Sequence, residues 1–376
     1  MIDDALLIVN FLKIKNYSKC LYIIVQPLIC SYKRLYCLVL CLFLISCGSP
    51  KSAEAVFDNY LDRLSNSLDV DREDELTASA LMRYPLNREL VQTTAPTKIN
   101  LLDFLKLSSC DLQRHIGQRN SSLGLFLEPS QRLIYEYKFI DLGDICLQTL
   151  AVDSELYNLL EEALIVKREQ LAIVRWNAVF ASDEFSVLFS LSTEPLNVEE
   201  VMLEPNELYA ALDDIYQYAN ASVMSTADEF ALEQAFSVVV SSKRLGQIRH
   251  SLQLSRLFLA EADKLLASRL SIRPLCFNER PNQKFDIVQT VFLKYYINEI
   301  QPYIAKLHQQ SEPILKRIER LRNQLNSDQR MSLAFDDFWS GVFVSEDSEW
   351  QLFNAAIKQH TINWQQLLTQ CGRLPS

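Results

Sequence analysis

Glycine is scarce in this chain, with 7 in 376 residues. Tight β-hairpin turns rely on glycine because their backbone needs positive φ angles that most other residues avoid. Leu, Ala, Glu, Gln and Arg, which favour helices, are plentiful. The composition therefore predicts an all-α fold rather than a β-sandwich.

Hydrophobic periodicity predicts an irregular helical bundle with a long antiparallel helical hairpin over about 226–325. The segment before the expected turn at 272–282 contains no proline, and the segment after it has apolar residues at alternating steps of three and four. Pro302 and Pro313 should kink or split this second segment. Further helices are expected over 52–68, 99–107, 110–117, 129–150, 154–180, 207–218 and 350–368.

The run from Leu35 to Ile45 is apolar, follows two basic residues and ends at Ser46-Cys47. This order of basic residues, apolar residues, a small residue and a cysteine resembles a bacterial lipoprotein signal, in which Cys47 receives lipid and the chain is cut before it. The apolar run is too short to span a bilayer. The alternative is an uncleaved anchor over 21–45, which would bury both basic residues at about 2.5–3.5 kcal/mol each.

The sequence thus predicts a signal peptide over 1–46, a lipidated Cys47 with a tether to residue 52, and a periplasmic α-helical domain over 53–376. Residues 1–30 exceed what such a signal needs. We attribute them to an upstream start codon assigned in error, with a long basic leader as the alternative. Because Gly48, not Asp, follows the cysteine, the signal resembles those of outer-membrane lipoproteins that face the periplasm. The inner membrane is the alternative location.

The chain is acidic, with a formal net charge of −10. The first 46 residues carry more basic than acidic side chains, so the remainder is more acidic still. This charge argues against nucleic acid as a partner. The expected partners are the membrane, through the lipid on Cys47, and an envelope protein.

The chain contains 9 cysteines, of which Cys110, Cys146, Cys276 and Cys371 follow the signal. An even number in an oxidising compartment predicts two disulfides, with three possible pairings. We favour Cys110–Cys146, which closes a modest loop between neighbouring helices, and Cys276–Cys371, which ties the C-terminal tail to the turn between the two long helices. Buried free thiols are the alternative. Without a CxxC pair or a Cys/His cluster, no metal site is expected.

The densest polar cluster lies between residues 114 and 136. Its candidate ligand-binding residues are Arg119, Asn120, Ser121, Arg132 and Glu136. The two arginines can hold an anion, with the serine hydroxyl and backbone N–H groups nearby. The alternative interpretation is architectural, with Asn120 and Ser121 in a turn and a buried Arg119–Glu136 pair.

Signatures of common enzymes are missing: the sequence has no HExxH, GxSxG, P-loop, GxGxxG or CxxC motif. The four histidines, His115, His250, His308 and His360, lie in helical segments with polar neighbours. We expect surface or capping roles for them. The sequence therefore predicts no catalytic residue and no cofactor.

Several motifs spread over the chain share one resemblance. They are the signal ending at Cys47, Cys110, Arg119-Asn120-Ser121-Ser122-Leu123-Gly124, Pro129-Ser130-Gln131-Arg132-Leu133, Tyr135-Glu136, Trp339 and Cys371. Together they resemble a family of proteobacterial lipoproteins known as a domain of unknown function. The resemblance covers nearly all of the chain after the signal. It implies an envelope location, a helical fold and paired cysteines, and it assigns no chemistry.

Three hypotheses of function follow. The first is a membrane-anchored periplasmic lipoprotein that binds an envelope protein or acts as a scaffold. The second is a binder or enzyme that acts on an anionic envelope component through Arg119, Ser121 and Arg132. The third is an export chaperone with a hydrophobic groove between its helices.

Overall fold

The computed structural model describes residues 51–73, 76–96, 99–121, 127–221, 224–325 and 332–373. All of them belong to one compact unit, Lys51–Ser376. The other unit, Met1–Pro50, lies outside the described residues, and with it lie the predicted signal and Cys47. Ser122, one of the polar residues near the candidate site, also lies outside them.

The described residues form α-helices and no β-strand. In chain order the helices are α1 (Ala53–Leu68), α2 (Asn87–Leu90), α3 (Leu101–Lys106), α4 (Asp111–Arg119), α5 (Pro129–Leu147), α6 (Glu155–Val179), α7 (Asp183–Leu188), α8 (Asn206–Tyr218), α9 (Thr226–Ser241), α10 (Arg244–Ile272), α11 (Gln283–Val291), α12 (Gln301–Leu325), α13 (Leu333–Trp339) and α14 (Glu349–Gln370). The prediction of an all-α fold is confirmed. None of the described helices combines the length and apolar character needed to cross a bilayer.

Local sequence signals explain several helix starts. Ser52, Ser154 and Ser348 each precede a helix, and each side-chain hydroxyl accepts the N–H of the residue three positions later. This bond satisfies one of the backbone donors that a helix N-terminus leaves without a partner. Pro129 begins α5, where its missing N–H costs nothing.

The long hairpin has a more detailed structure than the sequence suggested. A turn over 273–282 joins α10 to α11, as predicted, but the segment before it is two helices separated at Ser242-Lys243. A π-helical stretch, Phe292–Ile300, lies between α11 and α12. Pro302 is the second residue of α12, immediately after this stretch ends, whereas α12 continues through Pro313 without interruption. The expected effect of proline on this segment is therefore confined to the region before Pro302.

Two apolar clusters form the interior. The larger one includes residues of α1, of the C-terminal half of α6 and of most later helices. The smaller one is built around α4, α5 and the N-terminal half of α6. Leu171 on α6 packs against both clusters, so this helix connects them.

Both predicted disulfide pairings are confirmed. Cys110–Cys146 joins the start of α4 to the end of α5 within the smaller cluster. Cys276–Cys371 joins the turn after α10 to the end of α14. Together the two bonds restrict the unfolded chain over both the smaller cluster and the C-terminal helices.

His360 is completely buried, contrary to the expectation of a surface or capping role. Its Nδ1 lies 2.6 Å from a carboxylate oxygen of Asp263, and its Nε2 lies 2.9 Å from the Tyr60 hydroxyl oxygen. The indole N–H of Trp364 donates to the same hydroxyl at 3.0 Å. Burial raises the pKa of Tyr60 well above its ordinary value. This network joins α1, α10 and α14, and within it the Asp263 side chain is 13% exposed.

Gly246 lies where α10 passes close to the backbone of Ser190. A methyl group on Gly246 would overlap the Ser190 carbonyl oxygen. We therefore expect Gly246→Ala to lower the free energy of unfolding, measured by urea denaturation, by about 1–3 kcal/mol. Gly117→Ala is the control because its methyl group would meet only Phe104 Cζ, at 3.9 Å. There alanine should stabilise the helix by up to about 1 kcal/mol. Equal effects of the two substitutions would contradict the close approach.

Candidate functional site

A cavity of about 610 Å³ lies in the smaller apolar cluster. Helices α4, α5 and α6 supply most of its walls, and residues 94–96 and the flanks of α3 complete it. The volume falls within the range of about 300–1,000 Å³ that is typical of small-molecule sites. The apolar side chains that line it include Ile99, Leu107, Ile116, Phe139, Leu156, Leu159 and Leu160.

Charged side chains line the same cavity. They are Arg119 at the end of α4, Arg132 and Glu136 on α5, and Lys167 on α6. Three cations and one carboxylate thus share a cavity in a chain whose net charge is −10. Asn120 also lines the cavity. Of the five predicted ligand-binding residues, the structure brings four together here.

Glu136 is buried in the wall, with 4% of its surface exposed. The Lys167 ammonium donates to one of its carboxylate oxygens at 2.9 Å and lies 2.7 Å from the other. Arg132 Nε lies 3.7 Å from the same carboxylate, one helical turn away on α5. The partners that the structure shows for Glu136 are therefore Lys167 and Arg132. Such pairing compensates for the cost of burying a carboxylate.

Arg132 connects two walls of the cavity. Its guanidinium donates to the Thr94 hydroxyl at 2.8 Å, and Thr94 belongs to the segment over 94–96 that also lines the cavity. The side chain of Arg132 remains 38% exposed. It is therefore both fixed in direction and accessible to a ligand that enters from solvent.

Tyr135 also lines the cavity. The His115 ring stacks on it with a centroid distance of 4.3 Å, and His115 Nε2 lies 3.0 Å from the Tyr135 carbonyl oxygen. Burial lowers the pKa of His115, so this imidazole is neutral at pH 7. Burial also raises the pKa of Tyr135, and the charge of Glu136 adds to that rise, while Arg119 and Arg132 oppose it. The phenol is thus protonated at neutral pH. The expectation that His115 has a surface or capping role is wrong.

Ser121 lies outside this cavity. Its hydroxyl donates to the Gln118 carbonyl at 2.7 Å, and the residue lines a separate, shallower depression beside Phe104 and Leu127. The turn after α4 directs Arg119 and Asn120 towards the cavity and Ser121 away from it. The two arginines and the serine therefore do not share one binding surface.

Lys167 is the functional candidate that the sequence interpretation missed. Leu156, Leu160, Ala163 and Lys167 follow one another at steps of four, three and four, so they share one face of α6. A lysine that continues an apolar face is a signal for a buried or cavity-lining charge. Its ammonium lies 5.1 Å from the Phe139 ring centroid, which is close enough for a cation–π contact.

No described part of the chain gathers three or more His, Cys, Asp or Glu side chains in a way that would hold a metal ion. The cavity contains one carboxylate, and its other charged groups are cationic. This donor set suits an anion rather than a metal ion.

The fold and the cavity define an all-α, disulfide-linked protein with a cavity of mixed apolar and charged lining. The chain belongs to the family described as Protein of unknown function (DUF3080), whose model matches residues 57–375. No curated protein matches the chain. No solved structure matches it either.

Proposed function

We propose that the protein is a binding protein of the bacterial envelope and that its cavity holds a small organic anion. The observation that carries this proposal is the convergence of Arg119, Arg132 and Lys167 on one cavity that contains a single carboxylate, Glu136. Charge-assisted hydrogen bonds from guanidinium groups are among the strongest that proteins make to carboxylate and phosphate groups. The apolar walls would exclude water and contact the body of the ligand.

The proposed location is the outer membrane, on its periplasmic face, with Cys47 as the lipidated residue. The order of residues before Cys47 supports this location, as does the glycine that follows it. Two disulfides also fit the proposal because they persist in the periplasm and are rare in the bacterial cytosol.

The cavity favours anion binding over the two other hypotheses. The chaperone hypothesis depends on a hydrophobic groove between helices, whereas this cavity carries four charged side chains. A scaffold that binds an envelope protein does not need an internal cavity, so the cavity is better explained by a small ligand. We propose binding rather than catalysis because no serine, cysteine or histidine is among the described residues that line the cavity.

Two dyes that share one aromatic body test the proposal. We expect 8-anilinonaphthalene-1-sulfonate to bind saturably in a fluorescence titration and Arg119→Gln to weaken it about tenfold or more, since a hydrogen bond to a charged group contributes about 1.5–3 kcal/mol. N-phenyl-1-naphthylamine lacks the sulfonate, so the substitution should leave its affinity unchanged.

The matched control is Arg114→Gln. Arg114 lies on the same helix, but its side chain is 75% exposed and pairs with Asp111 outside the cavity. This variant should bind both dyes like the unmodified protein. Absence of saturable sulfonate binding, or equal loss in the two variants, would contradict an anion site at Arg119.

A further inference from the structure

The cavity has a cationic end, and the helix topology explains it. The disulfide holds Cys110, at the start of α4, against Cys146, near the end of α5. Farther along α4, His115 stacks on Tyr135, in the first half of α5. The two helices therefore run in opposite directions, and the C-terminal end of α4 lies beside the N-terminal half of α5. Arg119 is placed by this arrangement at the same end as Arg132.

Lys167 belongs to that end as well. Helix α6 follows α5 after a short connection and packs along it. Lys167 contacts Glu136 and Phe139, so the middle of α6 lies beside the first half of α5. Lys167 offsets the charge of Glu136. The four charged groups at this end still carry a net positive charge because Arg119 and Arg132 are present as well.

The opposite end of the cavity is apolar. Leu156 lies in the first turn of α6, three helical turns before Lys167, and Leu160 and Ala163 lie between them on the same face. The rise of an α-helix places Leu156 about 16 Å from Lys167 along the axis. Leu107 also lines this part of the cavity, next to the Cys110–Cys146 disulfide in the smaller cluster.

The cavity is cationic at one end and apolar at the other. We therefore infer that the ligand is a single-chain anionic amphiphile, with its head group at Arg119 and Arg132 and its hydrocarbon chain along the Leu160–Leu156 face of α6. This inference rests on the proposed function and specifies its ligand. A compact anion would leave the apolar end filled with water, whereas a hydrocarbon chain displaces that water. A free fatty carboxylate and an acidic lysophospholipid both offer this chemistry.

The length of the chain should control affinity. Burying one methylene group contributes about 0.8 kcal/mol, so each added methylene should raise the affinity about fourfold until the chain reaches Leu156. We would titrate the protein with octanoate, decanoate, dodecanoate and tetradecanoate by isothermal titration calorimetry, each below its micellar concentration. Dodecanol, which has no charge, should bind at least about tenfold more weakly than dodecanoate.

Leu156→Trp tests the position of the chain, since the larger ring fills the apolar end. This variant should bind octanoate within about twofold of the unmodified protein and tetradecanoate at least about tenfold more weakly, because roughly two methylene groups lose their place. The control is Ile165→Trp, on the same helix but half-exposed and outside the lining. It should leave both affinities unchanged.

The outcomes separate the ligand class from the proposed function. Suppose that the sulfonate dye binds in an Arg119-dependent manner but the affinity for carboxylates does not rise with chain length. The proposal of an anion site then stands, and the inference that the ligand is an amphiphile is wrong. If neither the dye nor any carboxylate binds, both are wrong. If affinity rises with chain length, a lysophospholipid with a dodecanoyl chain is titrated against dodecanoate, and the tighter ligand identifies the source of the head group.

Discussion

The double variant Cys276→Ala, Cys371→Ala is expected to lose about 4–5 kcal/mol of its free energy of unfolding. The two cysteines are 95 residues apart in sequence, and the entropy of the unfolded chain that a disulfide removes grows with the loop it closes. Both cysteines are buried, and alanine leaves no polar group without a partner there. Urea denaturation followed by far-UV circular dichroism measures the loss.

Two comparisons show whether loop closure causes this loss. The corresponding alanine variant of Cys110 and Cys146, which are 36 residues apart, should lose about 3.5–4 kcal/mol, less than the longer loop. The unmodified protein in the presence of reductant should be at least as unstable as either variant. A loss below about 1 kcal/mol for the Cys276–Cys371 pair would contradict the assignment of that disulfide as a major restraint on the unfolded chain.

Much of the fold was predicted from local signals in the sequence. The predicted helices over 52–68 and 154–180 both begin at a serine, and a hydroxyl before an apolar pattern can cap the first turn. The structure shows both caps. The disulfide pairing followed from the positions of four cysteines relative to predicted helices. These features depend on residues within one helix or on few alternatives, so one sequence suffices to predict them.

The side-chain contacts between helices were not predicted from the sequence. Asp263 and His360 are 97 residues apart, and nothing in the periodicity of α10 or α14 indicates that these two positions face each other. The same holds for Lys167 and Glu136, on neighbouring helices. A polar residue on an apolar helix face indicates a buried partner, but it does not identify the partner. For this reason the sequence indicated four of the residues that line the cavity, but not the contact between Glu136 and Lys167.

Turn geometry limited the prediction of the site itself. Arg119, Asn120 and Ser121 are consecutive in sequence, and for this reason they were predicted to belong to one site. The structure separates them because α4 ends at Arg119 and Asn120 follows as its cap. The backbone conformation at the end of the helix thus determines which side chains line the cavity. Residue type alone does not determine where the helix ends.

Arg249→Met is expected to lower the free energy of unfolding by about 3–5 kcal/mol, because it leaves a carboxylate without its buried partner. Arg249 is completely buried on α10. Its guanidinium donates to the two carboxylate oxygens of Glu349 at 2.8 and 2.6 Å and to the Met82 carbonyl at 2.6 Å. It also lies 5.5 Å from the Phe338 ring centroid. The pair thus ties α10 to the first turn of α14.

A double-mutant cycle separates the value of this pair from the cost of an unpaired charge. Arg249→Met combined with Glu349→Gln should recover part of the loss, since the double variant holds no unpaired charge. Arg114→Met, which removes an exposed pair with Asp111, should change stability by less than about 1 kcal/mol. If Arg249→Met costs no more than this surface control, the guanidinium does not hold α14 in place. The buried aromatic side chains around it would then account for the packing of these helices.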